Sequence, residues 1–266
     1  MSSRVIRALV VCGVATLAVT AAAAEDHGSD VLAKKLAEFQ GADRGEVSAV
    51  PDQSVATAFP NHHFYVLRFR QYPRAVQPPA PLHVNNLFAV KPDSSVEQIG
   101  DIQGLEGFFR GALAPVTTAG QAKVAATAWL RLAEEFHQDG FFQFSIPDDS
   151  LQTASEPDGR LKITGKAIVT QQGGGAGEIV GSLIFDKAGN LVKASEVATL
   201  KKGIRPICQA TKLLDPDPVV RGMAEQALLV MGTTAKAYLE EQRARASAEL
   251  QAAIDRIWQR ILTEDR

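Results

Sequence analysis

The feature that most constrains the fold is one helical stripe followed directly by a run of strands, between residues 117 and 200. The stripe has the i, i+4, i+7, i+8, i+11 spacing of a core-facing helix and consists of Ala125, Trp129, Leu132, Ala133 and Phe136. Four segments with strand character follow it: FFQFSI, LKITGKAIVT, EIVGSLIFD and LVKASEVATL. The turn sequences GGGAG and KAGN separate the last three. This order predicts an α+β fold in which a helix packs on an antiparallel meander sheet.

The order of elements over roughly residues 85–200 resembles that of cystatin-like and NTF2-like rolls. The resemblance is carried by element order and not by a specific motif. It implies a curved sheet that can enclose a cavity, in which Trp129 and Phe136 are wall or core residues rather than catalytic ones. A small ligand is therefore a second candidate partner.

A strand-rich region precedes the helix and completes the predicted α+β domain, residues 59–202. Within it, HFYVLRFRQY alternates so that Arg68 and Arg70 share a face. Both are candidate partner-binding residues, and together with Arg74 they are candidates for binding an anion. Phe69 and Tyr72 are interleaved with these arginines. Arginines on the solvent face of an edge strand are the alternative, because charge there blocks unwanted pairing.

The C-terminal region carries an internal repeat with a period of 30 residues. The first copy contributes the apolar positions Val220, Ala224, Ala227, Leu228 and Met231, and the second contributes Leu250, Ile254, Ile257, Trp258 and Ile261. Such a period is typical of helical-hairpin arrays. It predicts a four-helix, two-repeat unit over residues 203–266.

The first copy, LLDPDPVVRGMAEQALLVMG, is similar to HEAT-like repeats of the phycobilisome-lyase type. The matching positions are Leu214, Asp215, Pro218, Val219, Arg221, Ala224, Leu228 and Gly232. The second copy departs from the pattern, since Ser247 replaces the Asp-Pro corner and Gln251 stands in the place of Arg221. The resemblance implies stacked helices and a tendency to bind proteins, with no catalytic residues. Arg221 and Trp258 are accordingly candidate partner-binding residues.

Two repeats fall short of the roughly three that helical arrays need for stability. We therefore predict that the C-terminal unit docks on the α+β domain through a shared core. Trp258 takes the position of Leu228 in the second copy, which places it in the seam between the hairpins. A structural brace fits this pattern as well as partner binding does.

Residues 1–24 have the pattern of a secretory signal, with a basic start, an uncharged apolar stretch, and small residues at Ala22 and Ala24. We expect cleavage after Ala24 and an exported protein, periplasmic or extracellular, with no lipid or membrane anchor remaining. An uncleaved anchor is the alternative, although the apolar stretch is shorter than the about 20 residues that span a bilayer. Residues 25–58 are polar and predict a linker with one short helical pattern, Leu32, Leu36 and Phe39.

Charge and cysteine content narrow the function classes. A net charge of −2 gives no electrostatic basis for binding nucleic acid or an anionic membrane. Cleavage would remove Cys12 and leave Cys208, so the mature chain can form no internal disulfide. We interpret Cys208 as a buried packing residue.

The sequence shows no catalytic, cofactor-binding or metal-binding motif. GGGAG lacks the Lys-Ser or Lys-Thr that follows in a P-loop. His62, His63 and His83 do not have the spacing of a zinc site. Two adjacent acidic pairs are typical of solvated surface or turns: Glu134-Glu135 and Asp148-Asp149.

Three functions fit these patterns. The favoured one is an exported, non-enzymatic protein that serves as a protein-interaction or structural module. The alternative is a small-ligand-binding protein with a cavity in the α+β roll. An enzyme whose site is assembled from dispersed residues is the third and least favoured.

Overall fold

The computed structural model describes residues 28–72, 75–171, 174–202 and 210–264. The predicted signal, Arg74 and Cys208 lie outside these ranges. Within them, the chain forms two antiparallel sheets, helices between and beside the sheets, and a C-terminal group of helices. The predicted α+β class is therefore confirmed.

The first sheet has four antiparallel strands in chain order: β1 (Glu46–Ala49), β2 (His63–Arg68), β3 (Asn85–Val90) and β4 (Val96–Ile99). Alternate residues of β2 and β3 enter two different hydrophobic clusters, so both faces of the sheet are covered. A helix over residues 28–36, α1, covers one face with Leu32 and Leu36. The helix of the predicted stripe covers the other.

Much of the segment predicted as a linker, residues 25–58, belongs to this domain. β1 pairs with β2 and places Glu46 opposite Arg68. A short helix, α2 (Gln53–Ala58), buries Val55 in the main core. The linker prediction was wrong because elements of four to six residues are too short to show a hydrophobic period.

The second sheet contains the predicted strands: β5 (Gln143–Ser145), β6 (Gln152–Ser155), β7 (Leu161–Gln171), β8 (Gly174–Phe185) and β9 (Leu191–Leu200). Its order is β5-β7-β8-β9, and β6 also pairs with β7. All pairings are antiparallel. The meander of the three longest strands is confirmed.

Two helices, α3 (Ile102–Ala112) and α4 (Ala119–His137), lie inside the domain. α4 begins with a capping box in which Thr118 and Gln121 bond each other's backbone. It contacts β3 of the first sheet and β7 and β8 of the second. The helix is therefore covered on two sides rather than one. The roll resemblance placed residues 85–200 around a single sheet, whereas β3 and β4 belong to a separate one.

α4 approaches the second sheet at two glycines that face each other across β7 and β8. Gly165 and Gly181 are register partners. A Cβ atom at Gly181 would lie 3.0 Å from Cδ2 of Leu130 and 3.0 Å from Cδ1 of Trp129. Both side chains are fully buried and have little room to move. The glycine pair thus leaves the space into which the side chains of α4 pack.

The C-terminal unit consists of α5 (Pro218–Met231), α6 (Lys236–Ala244) and α7 (Ala248–Glu264), with short 3-10 turns at Ala210–Leu214 and Gly232–Ala235. Asp217 caps α5 by accepting the backbone N–H of Val219, and Gly232 ends the helix. The described part contains three α-helices, not the predicted four. A 3-10 turn lies at the expected position of the first, and residues 203–209 lie outside the described ranges.

The C-terminal helices have a hydrophobic cluster of their own, which includes Leu228, Leu239, Ile254 and Ile257. The buried residues of this cluster are separate from those around α4, and among the described residues of the α+β domain the half-buried Phe141 packs against it. The two units therefore meet at a contact, in place of the predicted shared core. Across the residues that the structure describes, no helix combines the length and the hydropathy needed to cross a membrane.

The close approach of α4 to Gly181 allows a test of how the helix packs on the second sheet. Gly181→Val should lower the free energy of unfolding by about 3 kcal/mol, the upper end of the usual cost of overpacking a core. Gly175→Val is the matched control, since it lies on the same strand in open space. Chemical denaturation measures both. Equal effects of the two substitutions would contradict close packing of α4 on this sheet.

Candidate functional site

Five charged side chains lie where α4 meets α2 and the first sheet, and we call them the α4 ion cluster: Asp52, Arg68, Arg131, Glu134 and Glu135. Arg131 joins two of its carboxylates, with Nε 3.3 Å from Asp52 Oδ2 and Nη1 3.1 Å from Glu134 Oε2. Asp52 Oδ1 also accepts the backbone N–H groups of Ser54 and Val55. One carboxylate therefore caps α2 and ties it to α4.

Glu134 is the most buried ionisable group of the cluster, with 6% of its surface exposed. Burial raises the pKa of its carboxyl from 4.5 to about 7, and the nearby Arg131 opposes this rise. The prediction that Glu134-Glu135 lies on a solvated face was wrong. Desolvation acts more strongly on Glu134 than its guanidinium partner does.

Arg68 and Glu135 form the second ion pair of the cluster. Arg68 also donates to Ser48 Oγ on β1, at 3.3 Å. β2 lies between β1 and β3, so Arg68 is on an interior strand and not on the edge strand of the alternative reading. Burial raises the pKa of Glu135, and Arg68 opposes this shift. The partner-binding role predicted for Arg68 gains no support, because its guanidinium is bound within the fold.

Polar contacts at the C-terminal end of α4 reach both sheets. Nδ2 of Asn85, on β3, donates to the carbonyl oxygens of Phe136 at 3.2 Å and Gln138 at 2.8 Å. These bonds satisfy helix-end carbonyls that lack a partner within the helix. On the other side, Nε2 of His137 lies 2.6 Å from Oε1 of Glu196 on β9. The helix end is thus joined to each sheet by a side-chain contact.

The ion pairs of the α4 ion cluster join α4 to α2 and to the first sheet. Each carboxylate of the cluster is bound by a guanidinium of the cluster. In the described ranges, no three His, Cys, Asp or Glu side chains are grouped to hold a metal ion. His62, whose spacing to His63 and His83 did not predict a zinc site, lies against the rings of Phe59, Phe64 and Phe108.

The space where the roll resemblance implies a cavity is filled. Trp129 and Leu130 occupy it and are fully buried, while Phe136 packs half-buried at the edge of the same core. One surface cleft lies between α1 and the turn that joins β3 to β4, and another lies between α5 and α7. Neither is under the second sheet.

Arg70 holds the C-terminal unit against the α+β domain. Its Nη2 lies 2.5 Å from Oε2 of Glu241 on α6, and its guanidinium carbon lies 5.7 Å from the ring centroid of Tyr238. Nearby, the ring of Tyr72 meets Phe141 edge-on, with 5.4 Å between centroids. Arg70 is therefore an internal docking residue, in place of the partner-binding role predicted for it.

The two candidates on the C-terminal unit also have internal contacts. Nη1 of Arg221 donates to the carbonyl oxygens of Asp215 at 2.6 Å and Pro216 at 2.9 Å, which closes the loop before α5. Trp258 packs half-buried against the hydrophobic cluster of the C-terminal helices. These positions indicate that Arg221 shapes the loop and that Trp258 contributes to the packing of the unit.

The outer face of α5 presents two apolar side chains that sequence analysis did not select as a pair. Val219 and Met223 are 67% and 68% exposed. They lie four residues apart and therefore share one face of the helix. The buried residues Ala224, Leu228 and Met231 lie on the opposite face. We call Val219 and Met223 the α5 outer pair.

Comparisons with protein-family models, with characterised proteins and with solved structures return no match.

Glu134 yields a prediction about pH. Its carboxyl has a higher pKa in the folded chain than in the unfolded chain, so it lowers stability progressively as pH rises from 4.5 to about 7. Above pH 7, the rise in pKa corresponds to a loss of about 3 kcal/mol in the free energy of unfolding. Glu134→Gln, which cannot ionise, should remove this loss, whereas Glu38→Gln, exposed in the turn that follows α1, should not.

Denaturation of both variants and the parent at intervals between pH 4 and pH 8 measures the effect. A Glu134→Gln profile parallel to that of the parent would show that the carboxyl is not desolvated as described.

Proposed function

We propose that the protein acts without catalysis, as an exported module that binds another protein through the α5 outer pair. The observation that carries the proposal is the exposure of Val219 and Met223, at 67% and 68%. Large apolar side chains this exposed gain little from folding, and grouped on one face they are typical of a contact surface. The resemblance of this segment to HEAT-like repeats supports the same conclusion, and the N-terminal pattern supports export.

The charged groups on α5 and in the segment before it bear on the chemistry of the partner. Lys212 pairs with Asp215, and Glu225 pairs with Arg260. The carboxylate of Asp217 accepts the backbone N–H of Val219. Because these charged groups of the C-terminal unit already have partners within it, a charged ligand would have to displace them.

The surface therefore suits an uncharged, apolar partner, such as the apolar face of an amphipathic helix laid along α5. A helix of this kind would place side chains three or four residues apart against Val219 and Met223. The binding energy would come from burying the two side chains rather than from ion pairs.

Site-specific photocrosslinking tests the proposal in the producing cell. A photoreactive residue at Met223 should give one discrete adduct with another protein, and the same residue at Glu240, exposed on α6, should not. Val219→Ser in the Met223-labelled protein should abolish the adduct. The melting temperature should be unchanged, because Val219 makes little contact with the core.

The partner identified from the adduct then provides a quantitative check. Purified protein carrying Val219→Ser and Met223→Ser should bind it at least about tenfold more weakly, as expected for loss of central apolar contacts. Equal affinity, or the same adduct from Glu240, would contradict binding through this face.

A further inference from the structure

A second surface, unrelated to the α5 outer pair, lies on the edge of the second sheet. β9 pairs with β8 on one side only and is therefore an edge strand. It runs for 10 residues, which is long for an unprotected edge. The two halves of this edge differ in how they are covered.

The first half of the edge is protected by α3. The carboxylate of Glu106 accepts the backbone N–H of Ala194 at 3.3 Å, and Arg110 donates to the carbonyl oxygen of Val192 at 3.1 Å. Glu106 and Arg110 also pair with each other at 2.7 Å. Two side chains of α3 thus satisfy the backbone N–H of Ala194 and the backbone carbonyl of Val192, which have no partner strand on this side.

These two contacts determine which backbone groups of β9 point outward. Successive residues of a strand direct their N–H and C=O groups to alternate sides. The backbone carbonyl of Val192 and the backbone N–H of Ala194 point away from β8. The backbone N–H of Lys201, an odd-numbered residue, instead donates to the carbonyl oxygen of Ala176 on β8. It follows that the backbone N–H and C=O groups of Glu196, Ala198 and Leu200 also point away from β8. No described residue donates to or accepts from their backbone groups.

The side chains along this second half leave the edge accessible. Val197 is 67% exposed, and Ala198 and Thr199 are also exposed. Residues 197–200 contain no charge and no proline, which are the usual protections of an edge. Two exposed lysines, Lys201 and Lys202, follow immediately.

We propose that residues 196–200 of β9 bind an extended segment of another protein as an added antiparallel strand. The outward N–H and C=O groups of Glu196, Ala198 and Leu200 would form the ladder with it. Val197 favours a β-branched or apolar residue on the same face of the added strand. Lys201 and Lys202 favour acidic residues at its N-terminal end.

A second copy of the chain fits this edge less well. A two-fold pairing of β9 with itself, centred on Ala198, would bring Lys202 of one copy opposite Ala194 of the other. Glu106 and Arg110 of α3 already occupy that position. A separate segment that ends before α3 avoids the collision.

The probe for this proposal is the peptide Asp-Asp-Thr-Val-Thr-Val-Thr with a C-terminal fluorophore, titrated with the full chain by fluorescence anisotropy. We expect saturable binding and slowed hydrogen exchange at the amides of Ala198 and Leu200. Two further peptides carry N-methyl groups on one or the other alternate set of residues. Only one of them should lose binding, by about tenfold or more, because only one set faces β9.

Protein variants complete the test. Ala198→Pro removes an N–H that points away from β8 and should weaken binding of the probe by about tenfold, with the β8 ladder retained. Lys201→Glu with Lys202→Glu should weaken the acidic probe and favour one that begins Lys-Lys.

The absence of saturable binding would overturn the proposal, as would equal binding of both N-methylated peptides. Both peptide measurements use the unmodified chain, so they test the proposal even if a protein variant fails to fold. Protection of Ala198 and Leu200 on concentrating the protein alone would assign the edge to a second copy and would also overturn it. Because Val219 and Met223 lie on another surface, failure here leaves the proposed function standing, and the reverse also holds.

Discussion

The burial of α4 from two sides is the constraint on which the rest of the domain depends. A helix that is apolar around most of its circumference must be covered all round, and α4 buries alanines on several faces together with Trp129, Leu130 and Leu132. Each sheet covers one side: β3 of the first, and β7 and β8 of the second. Gly165 and Gly181 let the helix approach the second sheet closely. Without α4, neither sheet retains a complete core, and α2 and α3 lose the surface on which they pack.

The polar contacts along the C-terminal half of α4 determine its orientation within this core. Apolar burial is non-directional, whereas the pairing of Arg131 with Asp52 and of His137 with Glu196 holds only in one position of the helix. Glu134 is the exception among these groups, because its burial costs stability at neutral pH. The α4 ion cluster is thus better understood as a device for specifying the arrangement than as a source of net stability. The raised pKa of Glu134 follows from this burial.

The parts of this fold that could be predicted from sequence are those in which many consecutive residues repeat one pattern. α4, β7, β8 and β9 each span 10 or more residues and were recognised. Cover on the second side of α4 was missed because Ala122, Ala126 and Ala128 carry little signal, since alanine is common on both buried and exposed helix faces. The only sequence feature that could have indicated the burial of Glu134 is Arg131, which lies three residues earlier and pairs with it. Arg70 and Glu241 are 171 residues apart, so no local pattern could join them.

The central claim is that α4 and both sheets form one cooperative unit. Native-state hydrogen exchange, followed residue by residue with increasing denaturant, tests it most directly. We expect the slowest amides of α4, β2, β3, β7 and β8 to share one opening free energy. The C-terminal helices, which have a separate hydrophobic cluster, should open at a lower one. If the amides of the first sheet exchange at a clearly lower free energy than those of the second, the two sheets open independently, and α4 is not the element that unites them.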